Sequence, residues 1–324
     1  MASLLEQLKS FSTVVADTGD KASLLTLSPV EITTNPTLLL KSAGLKENEP
    51  LLKLSVQLAK KEAGTLDLKT VLPLAVDHLS VEIGSQLLAL VPGRVSTEVD
   101  ARLSYDTIGT IKKAHRLIEL YQKKGVARER ILIKIAATHE GIVAAEYLER
   151  QGIHCNLTLL FDLYQAAACA HAKVTLISPF VGRILDWHKA MYKDVTYAPS
   201  EDPGVVSVRN IYNYLKHYDY KTAIMAASFR NLDEIIELVG CDLLTIAPNF
   251  LQELSKKEGV LARKLSIETA QSIKIEKIEH PLRKQVFDVG LASNKMATDK
   301  LLEGVNGFIQ ATVDLEAVLA HYFE

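Results

Sequence analysis

The chain has 324 residues, 48% hydrophobic and 23% charged, with a net charge of −2 and a pI near 6.5, so it can bury a sizeable core and carries no polybasic footprint for nucleic acid or an anionic membrane. Three cysteines without a CxxC pair (Cys155, Cys169 and Cys241) argue against a disulfide framework and read as buried small hydrophobes in a reducing compartment. The opening MASLLEQLKS does not read as a signal peptide and no apolar stretch reaches the ~18 residues of a membrane span, which leads to an expected cytoplasmic location.

In chain order, short β-branched runs alternate with longer amphipathic stretches, the pattern of βα units. Strands are predicted over 13–16 and 32–34. A long interval then holds helices over 51–63 and 71–90, ahead of a third strand at 95–99. The segment 107–124 repeats Ile108, Ile111, Leu117 and Tyr121 at helical spacing and stops at Lys123-Lys124-Gly125. A fourth strand follows over 131–135. The next helix, 138–151, has Ile142, Ala145 and Leu148 on one face, with Thr138 as N-cap and Gly152 beyond its end. Further strands are read at 155–159, 174–177, 222–226 and 243–246, and 268–324 is expected to be largely helical. The sequon Asn156-Leu157-Thr158 falls in a predicted buried strand, which speaks against its use for glycosylation. Many of the eight strands lack polar alternation, as parallel strands covered on both faces do. The fold class is therefore α/β: one eight-stranded parallel β/α barrel with additional helices, a single domain over 1–324.

Barrel chemistry gathers at the C-terminal strand ends, and the polar residues there are an unusual set. They are Asp17, Asn35, Glu98, Lys134, Asn156, Thr158, Ser178, Ser228 and Arg230. Lys134 lies in ILIKIAA, where an ammonium is costly to desolvate unless it is neutral or paired. At the reference pKa near 10.4 only about one amine in 2,500 is free base at pH 7, and a depressed value makes it a nucleophile toward a ketone. The alternative is a lysine that snorkels to solvent or pairs with Glu98. Asp17 could equally serve as an Asx-turn or helix cap. Glu98 and Asp100 are expected on one strand face, either as proton-handling groups or as partners of Arg94 and Arg102. Arg183 and Arg230 follow the sixth and seventh strands at helix starts, where two guanidiniums and free N–H groups fit a phosphate clamp, although lone arginines also form surface ion pairs. No GxGxxG, Walker A, HExxH or GxSxG motif occurs and the nine histidines lack ligand spacing, so neither a nucleotide cofactor nor a metal is called for.

Several blocks in order along nearly the whole chain resemble the transaldolase family: VVADTGD (14–20), ITTNPTLL (32–39), VPGRVSTEVDARLSYD (91–106), ILIKIAATHEG (131–141), CNLTLLF (155–161), ISPFVGRILDW (177–187), EDPGVVSV (201–208), ASFRN (227–231) and KMATDKLLEG (295–304). The resemblance implies a homodimer of the pentose phosphate pathway that needs no cofactor and acts on sugar phosphates. It implies that Lys134 forms a Schiff base with a ketose phosphate and that Asp17 takes the hydroxyl proton as the carbon–carbon bond breaks. Glu98 becomes the acid/base for carbinolamine dehydration and hydrolysis, through a water held with Thr158. Asn35 and Asn156, with Ser178 nearby, hold the hydroxyls of the dihydroxyacetone unit, while Arg183, Ser228 and Arg230 hold the phosphate. Phe180 stands where transaldolases carry phenylalanine and aldolase relatives commonly carry tyrosine. His139, Ala137, Ala226 and Asp162 depart from the family pattern without removing a catalytic group. A Schiff-base aldolase that releases free dihydroxyacetone, and a barrel that has lost catalysis, are the competing readings.

Overall fold

Residues such as ILIKIA can be buried on both faces only if one face looks into a packed interior and the other meets helices, and a closed barrel provides both. In the computed structural model, which describes residues 2–20, 24 and 27–323, eight parallel strands pair in sequence order and the first also pairs with the last. They are β1 (Thr13–Asp17), β2 (Glu31–Thr33), β3 (Val95–Glu98), β4 (Ile131–Ala136), β5 (Cys155–Leu160), β6 (Leu176–Pro179), β7 (Ala223–Ala226) and β8 (Leu243–Ile246). Outward-facing residues join the helices in one large apolar cluster. A second, separate cluster of Val15, Leu132, Leu176, Met225 and Leu243 fills the barrel interior.

Strand periodicity turns that interior core into the foundation of a polar layer. Two residues beyond Val15, Leu132, Leu176 and Leu243, on the same inner face, stand Asp17, Lys134, Ser178 and Thr245. The inner surface thus changes from apolar to polar toward the C-terminal strand ends.

The helices follow their local signals. Thr138 caps His139–Arg150 by accepting from Gly141 N at 2.9 Å, and Gly152 ends that segment at a φ of 73°. Thr107–Lys123 stops two residues before Gly125, whose φ is 76°. Its buried face runs through Thr110, Ala114, Leu117 and Tyr121, whereas Ile108, expected on that face, is exposed in the first turn. Glu49–Ala63 and Leu68–Leu88 fill the interval between β2 and β3.

Two expectations need correction. β6 begins at Leu176 rather than 174, because Lys173 takes a φ of 59°, Val174 N–H returns to Cys169 O, and Thr175 N–H donates to the Glu149 carboxylate. Asp100 does not share a strand face with Glu98: β3 ends at Glu98, and Asp100 caps the turn Ala101–Leu103 and pairs with Arg102. The segment 268–324 is largely helical, as expected, in the helices Ile267–Ser272, Lys284–Ala292 and Lys295–Ala320. Between the first two, Ile278 N–H donates to Tyr214 Oη and Ile275 O accepts from Tyr218 Oη, so side chains replace the helical ladder; Glu324 lies outside the described residues. All three cysteines are free and buried, Asn156 and Thr158 lie inside β5, and no described helix is long and apolar enough to cross a membrane.

Candidate active site

Register places the central groups side by side: Glu98 on β3 is level with Lys134 on β4, which is level with Asn156 on β5. Lys134 points into the barrel and is only 4% exposed, so it does not snorkel to solvent. Its Nζ donates to Thr34 O at 3.1 Å and lies 3.6 Å from Glu98 Oε2, an ion-pair distance too long for a good hydrogen bond. On β1, Asp17 accepts from Thr33 Oγ1 at 2.9 Å, and Thr33 Oγ1 lies 2.8 Å from Thr245 Oγ1. Among the described residues Asp17 caps no helix. Ser178 donates to Asn156 Oδ1 at 2.6 Å, and Asn156 Nδ2 donates to Ser96 Oγ at 3.0 Å, which fixes the orientation of the amide. Asn35 caps Pro36–Ala43 through its Oδ1, so its amide nitrogen is the donor it has to offer.

Burial dominates the electrostatics. It pushes Glu98 up to about 7 against the opposing pull of Lys134 and Arg183, so this carboxyl can give or take a proton near neutrality. Asp17 is also raised by burial, an effect that Lys134, the Thr33 hydrogen bond and Arg183 oppose. Glu98 Oε2 and Thr158 Oγ1 are both buried without a hydrogen-bond partner among the described residues. Orphaned polar atoms of that kind cost free energy unless a water or substrate group reaches them.

The phosphate-clamp candidates come from the next two loops. Arg183 opens Gly182–Met191 after β6; its guanidinium carbon lies 4.8 Å from the Phe180 ring centroid and 5.6 Å from that of Phe308. Burial, with the charge of Arg230, holds Arg183 below the ordinary guanidinium value. Ser228, at a φ of 62°, forms the corner after β7, and Arg230 Nη1 donates to Ser228 Oγ at 3.3 Å. The Arg230 guanidinium also makes a two-pronged pair with Asp186 at 3.0 and 2.7 Å and is substantially exposed. Asp17, Asn35, Lys134, Ser178, Phe180, Arg183 and Ser228 line one cavity of about 50 Å³. Glu98 and Asn156 stand behind that lining, reached through Lys134 and Ser178, and Arg230 is joined to it through Ser228.

Sequence reasoning passed over Thr33, Ser96 and Thr245, which orient Asp17 and Asn156. Hydroxyl residues are ordinary in strands, and only inward parity beneath a functional group singles them out. The departures have a structural account. Asp162 accepts from Asn294 Nδ2 at 2.7 Å, and His139 Nε2–H donates to Leu282 O at 3.0 Å, so both fasten the C-terminal segment to the barrel mouth. Ala137 and Ala226 are fully buried, and nothing in the structure explains their choice over the usual residues.

A family model described as Transaldolase/Fructose-6-phosphate aldolase matches residues 14–319. The chain belongs to the transaldolase family. It is 55% identical to a transaldolase of Acidobacterium capsulatum across 99% of this chain and 96% of that protein. Transaldolases of Methylococcus capsulatus and Thermosynechococcus vestitus are each 52% identical over 98% of this chain, covering 96% and 81% of their own lengths. At that identity, end to end, transaldolase activity and the transferase class belong to this chain as well. The eight-stranded barrel with its inward lysine has the architecture that the blocks quoted above led us to expect of the family.

Proposed function

We propose that this chain transfers a dihydroxyacetone unit from sedoheptulose 7-phosphate to glyceraldehyde 3-phosphate through a Schiff base on Lys134, yielding erythrose 4-phosphate and fructose 6-phosphate. The observation that carries the reading is the buried Nζ, 3.6 Å from Glu98, in a chamber lined also by Asp17 and Arg183.

In this reading the amine of Lys134 adds to the ketone and water leaves, giving an iminium. Glu98 takes and returns the protons of those steps through a water held with Thr158, which would engage both orphaned oxygens. Asp17 removes the proton of the C4 hydroxyl, the C3–C4 bond breaks, its electron pair enters the iminium, and an aldose phosphate departs. The enamine left on Lys134 then attacks the aldehyde of the second aldose phosphate, and the steps reverse. Asn35, Asn156 and Ser178 hold the hydroxyls of the three-carbon unit. Arg183, Ser228 and Arg230 hold the phosphate, whose binding energy places the acceptor over the enamine. The iminium is itself the electron sink, so the chemistry asks for no cofactor. The setting is the pentose phosphate pathway, in a cytoplasmic homodimer whose residues 1–324 act as one domain.

The family model spans both transfer and simple cleavage, so an aldolase is the second reading. Phe180 favours transfer: its ring packs edge-on against Phe161, with centroids 5.4 Å apart, and lies under Arg183, where it offers no hydroxyl to deliver a proton or water to the enamine. Incubation with fructose 6-phosphate should release little free dihydroxyacetone and turn over only when erythrose 4-phosphate is supplied. Rapid release without an acceptor would favour the aldolase. Borohydride reduction with fructose 6-phosphate, followed by peptide mapping, should place the three-carbon adduct on Lys134. An adduct on another lysine would refute the assignment.

A further inference from the structure

Glu234 is an anomaly: a carboxylate only 1% exposed, in the first turn of the short helix Leu232–Ile236, with Oε1 lacking any hydrogen-bond partner among the described residues. Its other oxygen reaches back to accept from the backbone N–H of Arg230 at 2.6 Å. Asn231-x-x-Glu234 has the spacing of a capping box, in which the acid would return to the N–H of Asn231 itself. Here the side chain goes one residue further, into the loop that carries Ser228 and Arg230. Asn231 meanwhile accepts from Glu234 N at 2.9 Å, so the acid is held at its own backbone.

That loop is under constraint from every side. Ser228 sits in the left-handed region at a φ of 62°, which a serine adopts only when its neighbours hold it there. Gly182 N–H donates to Ser228 O at 2.9 Å, and Val181 N–H donates to Ala227 O at 2.9 Å. A Cβ on Gly182 would come within 2.5 Å of Arg230 Cγ and 2.6 Å of Ser228 O, so the loop bearing Arg183 and the loop bearing Arg230 are in direct contact. Among the described residues, the Glu234 carboxylate is the group that secures the Arg230 end of this arrangement. Among the described residues the Arg230 guanidinium is engaged by an exposed aspartate, Asp186, and by Ser228.

We infer that Glu234 is a positioning residue for phosphate recognition: by holding the Arg230 backbone amide it sets the separation and angle of the Ser228–Arg230 loop against Arg183, so that both guanidiniums meet one phosphate group. The inference rests on the proposed reading of Arg183, Ser228 and Arg230 as the phosphate holders. Glu234 touches neither the reacting carbons nor Lys134, so its loss should weaken binding of phosphorylated ligands and leave the covalent centre intact.

The test uses three variants of the full chain beside an Arg230→Ala reference. Glu234→Gln keeps an oxygen acceptor at the same reach. Glu234→Asp keeps the carboxyl group but is one methylene too short, and Glu234→Leu removes the acceptor. For Glu234→Leu and Glu234→Asp the KM for fructose 6-phosphate and the Ki of inorganic phosphate should rise about tenfold, with kcat within about twofold. Borohydride trapping of unphosphorylated dihydroxyacetone on Lys134 should match the unaltered chain, and Glu234→Gln should restore most of the phosphate affinity. Should Glu234→Leu fail to fold, the contrast between Glu234→Asp and Glu234→Gln carries the test alone. Arg230→Ala that weakens phosphate binding while Glu234→Asp does not would overturn the positioning role and leave the phosphate site standing. Arg230→Ala without effect on phosphate affinity would overturn both. Loss of dihydroxyacetone trapping together with phosphate affinity would assign Glu234 to general folding and overturn the inference.

Discussion

Lys134 and Asp17 line one small chamber with Glu98 just behind Lys134, and what each can do depends on which oxygen or nitrogen its neighbours occupy. Glu98 is raised by burial to about 7. In the proposed mechanism it takes a proton from the Lys134 side and must be ionised in the free enzyme, so kcat/KM should rise with pH through about 7 and fall on the acid side. The acid limb should disappear in Glu98→Gln, whose residual rate should be flat there; a limb unchanged in that variant would assign the titration elsewhere. The same shift has a stability consequence. Between 4.5, the ordinary value for this side chain, and about 7 the folded chain holds a proton that the unfolded chain has released. This contribution therefore favours folding most at acid pH and is lost as pH rises through that window. Thr33 should matter through Asp17: Thr33→Val deletes the hydrogen bonds to Asp17 and Thr245 at nearly constant volume. A hydrogen bond to an ionised group contributes about 1.5–3 kcal/mol, so kcat should fall roughly ten- to a hundredfold with the fold intact. Single-turnover release of the aldose phosphate is the measurement that checks it. Lys134 was legible in the sequence because a cation in ILIKIAA breaks the apolar run. Thr33 was not, because a threonine in ITT is what any strand would carry.

Strands and helices are joined here by side chains that serve several backbones at once. Glu149, near the end of His139–Arg150, accepts from Cys155 N–H at 2.9 Å, Thr175 N–H at 2.7 Å and Thr175 Oγ1 at 2.9 Å. One carboxylate thereby ties a helix to the starts of β5 and β6. Glu149→Ala should leave the N–H groups of Cys155 and Thr175 without this partner and lower stability by about 2–4 kcal/mol, read as a drop in denaturation midpoint without a change in slope. Glu149→Gln should lose much less. The delayed start of β6 has the same cause: β-branched Val174 and Thr175 read as strand, but a carboxylate twenty-six residues upstream takes the Thr175 amide that a ladder would use. The break in 273–283 is similar, since Tyr214 and Tyr218 satisfy backbone groups there in place of a helical ladder. Helix ends, by contrast, were readable wherever a cap or a left-handed glycine marks them locally, as Thr138, Gly125 and Gly152 do.

Across the whole molecule, the C-terminal helix Lys295–Ala320 packs against Pro36–Ala43, Leu68–Leu88, Gly182–Met191 and β5, and so closes over the barrel mouth from the far end of the chain. It brings Phe308 to 5.6 Å from the Arg183 guanidinium, which also lies 4.8 Å from the Phe180 ring. Phe308→Ala should cost about 3–5 kcal/mol from the buried cavity and also raise KM for phosphorylated substrates, because Arg183 loses a wall that orients it. A thermal melt and a KM series on one preparation separate the two effects, and a melt shift without a KM change would remove Phe308 from the site. The sequence by itself determined the eight apolar strands, the locally signalled caps and the odd charged residues at the strand ends, because each depends on residue type within a few positions. Only the tertiary structure decided which of those residues meet. Inward parity, the closing of β1 on β8 and the return of residue 308 over residue 183 are settled by burying the whole core at once, and no local stretch of chain carries that information.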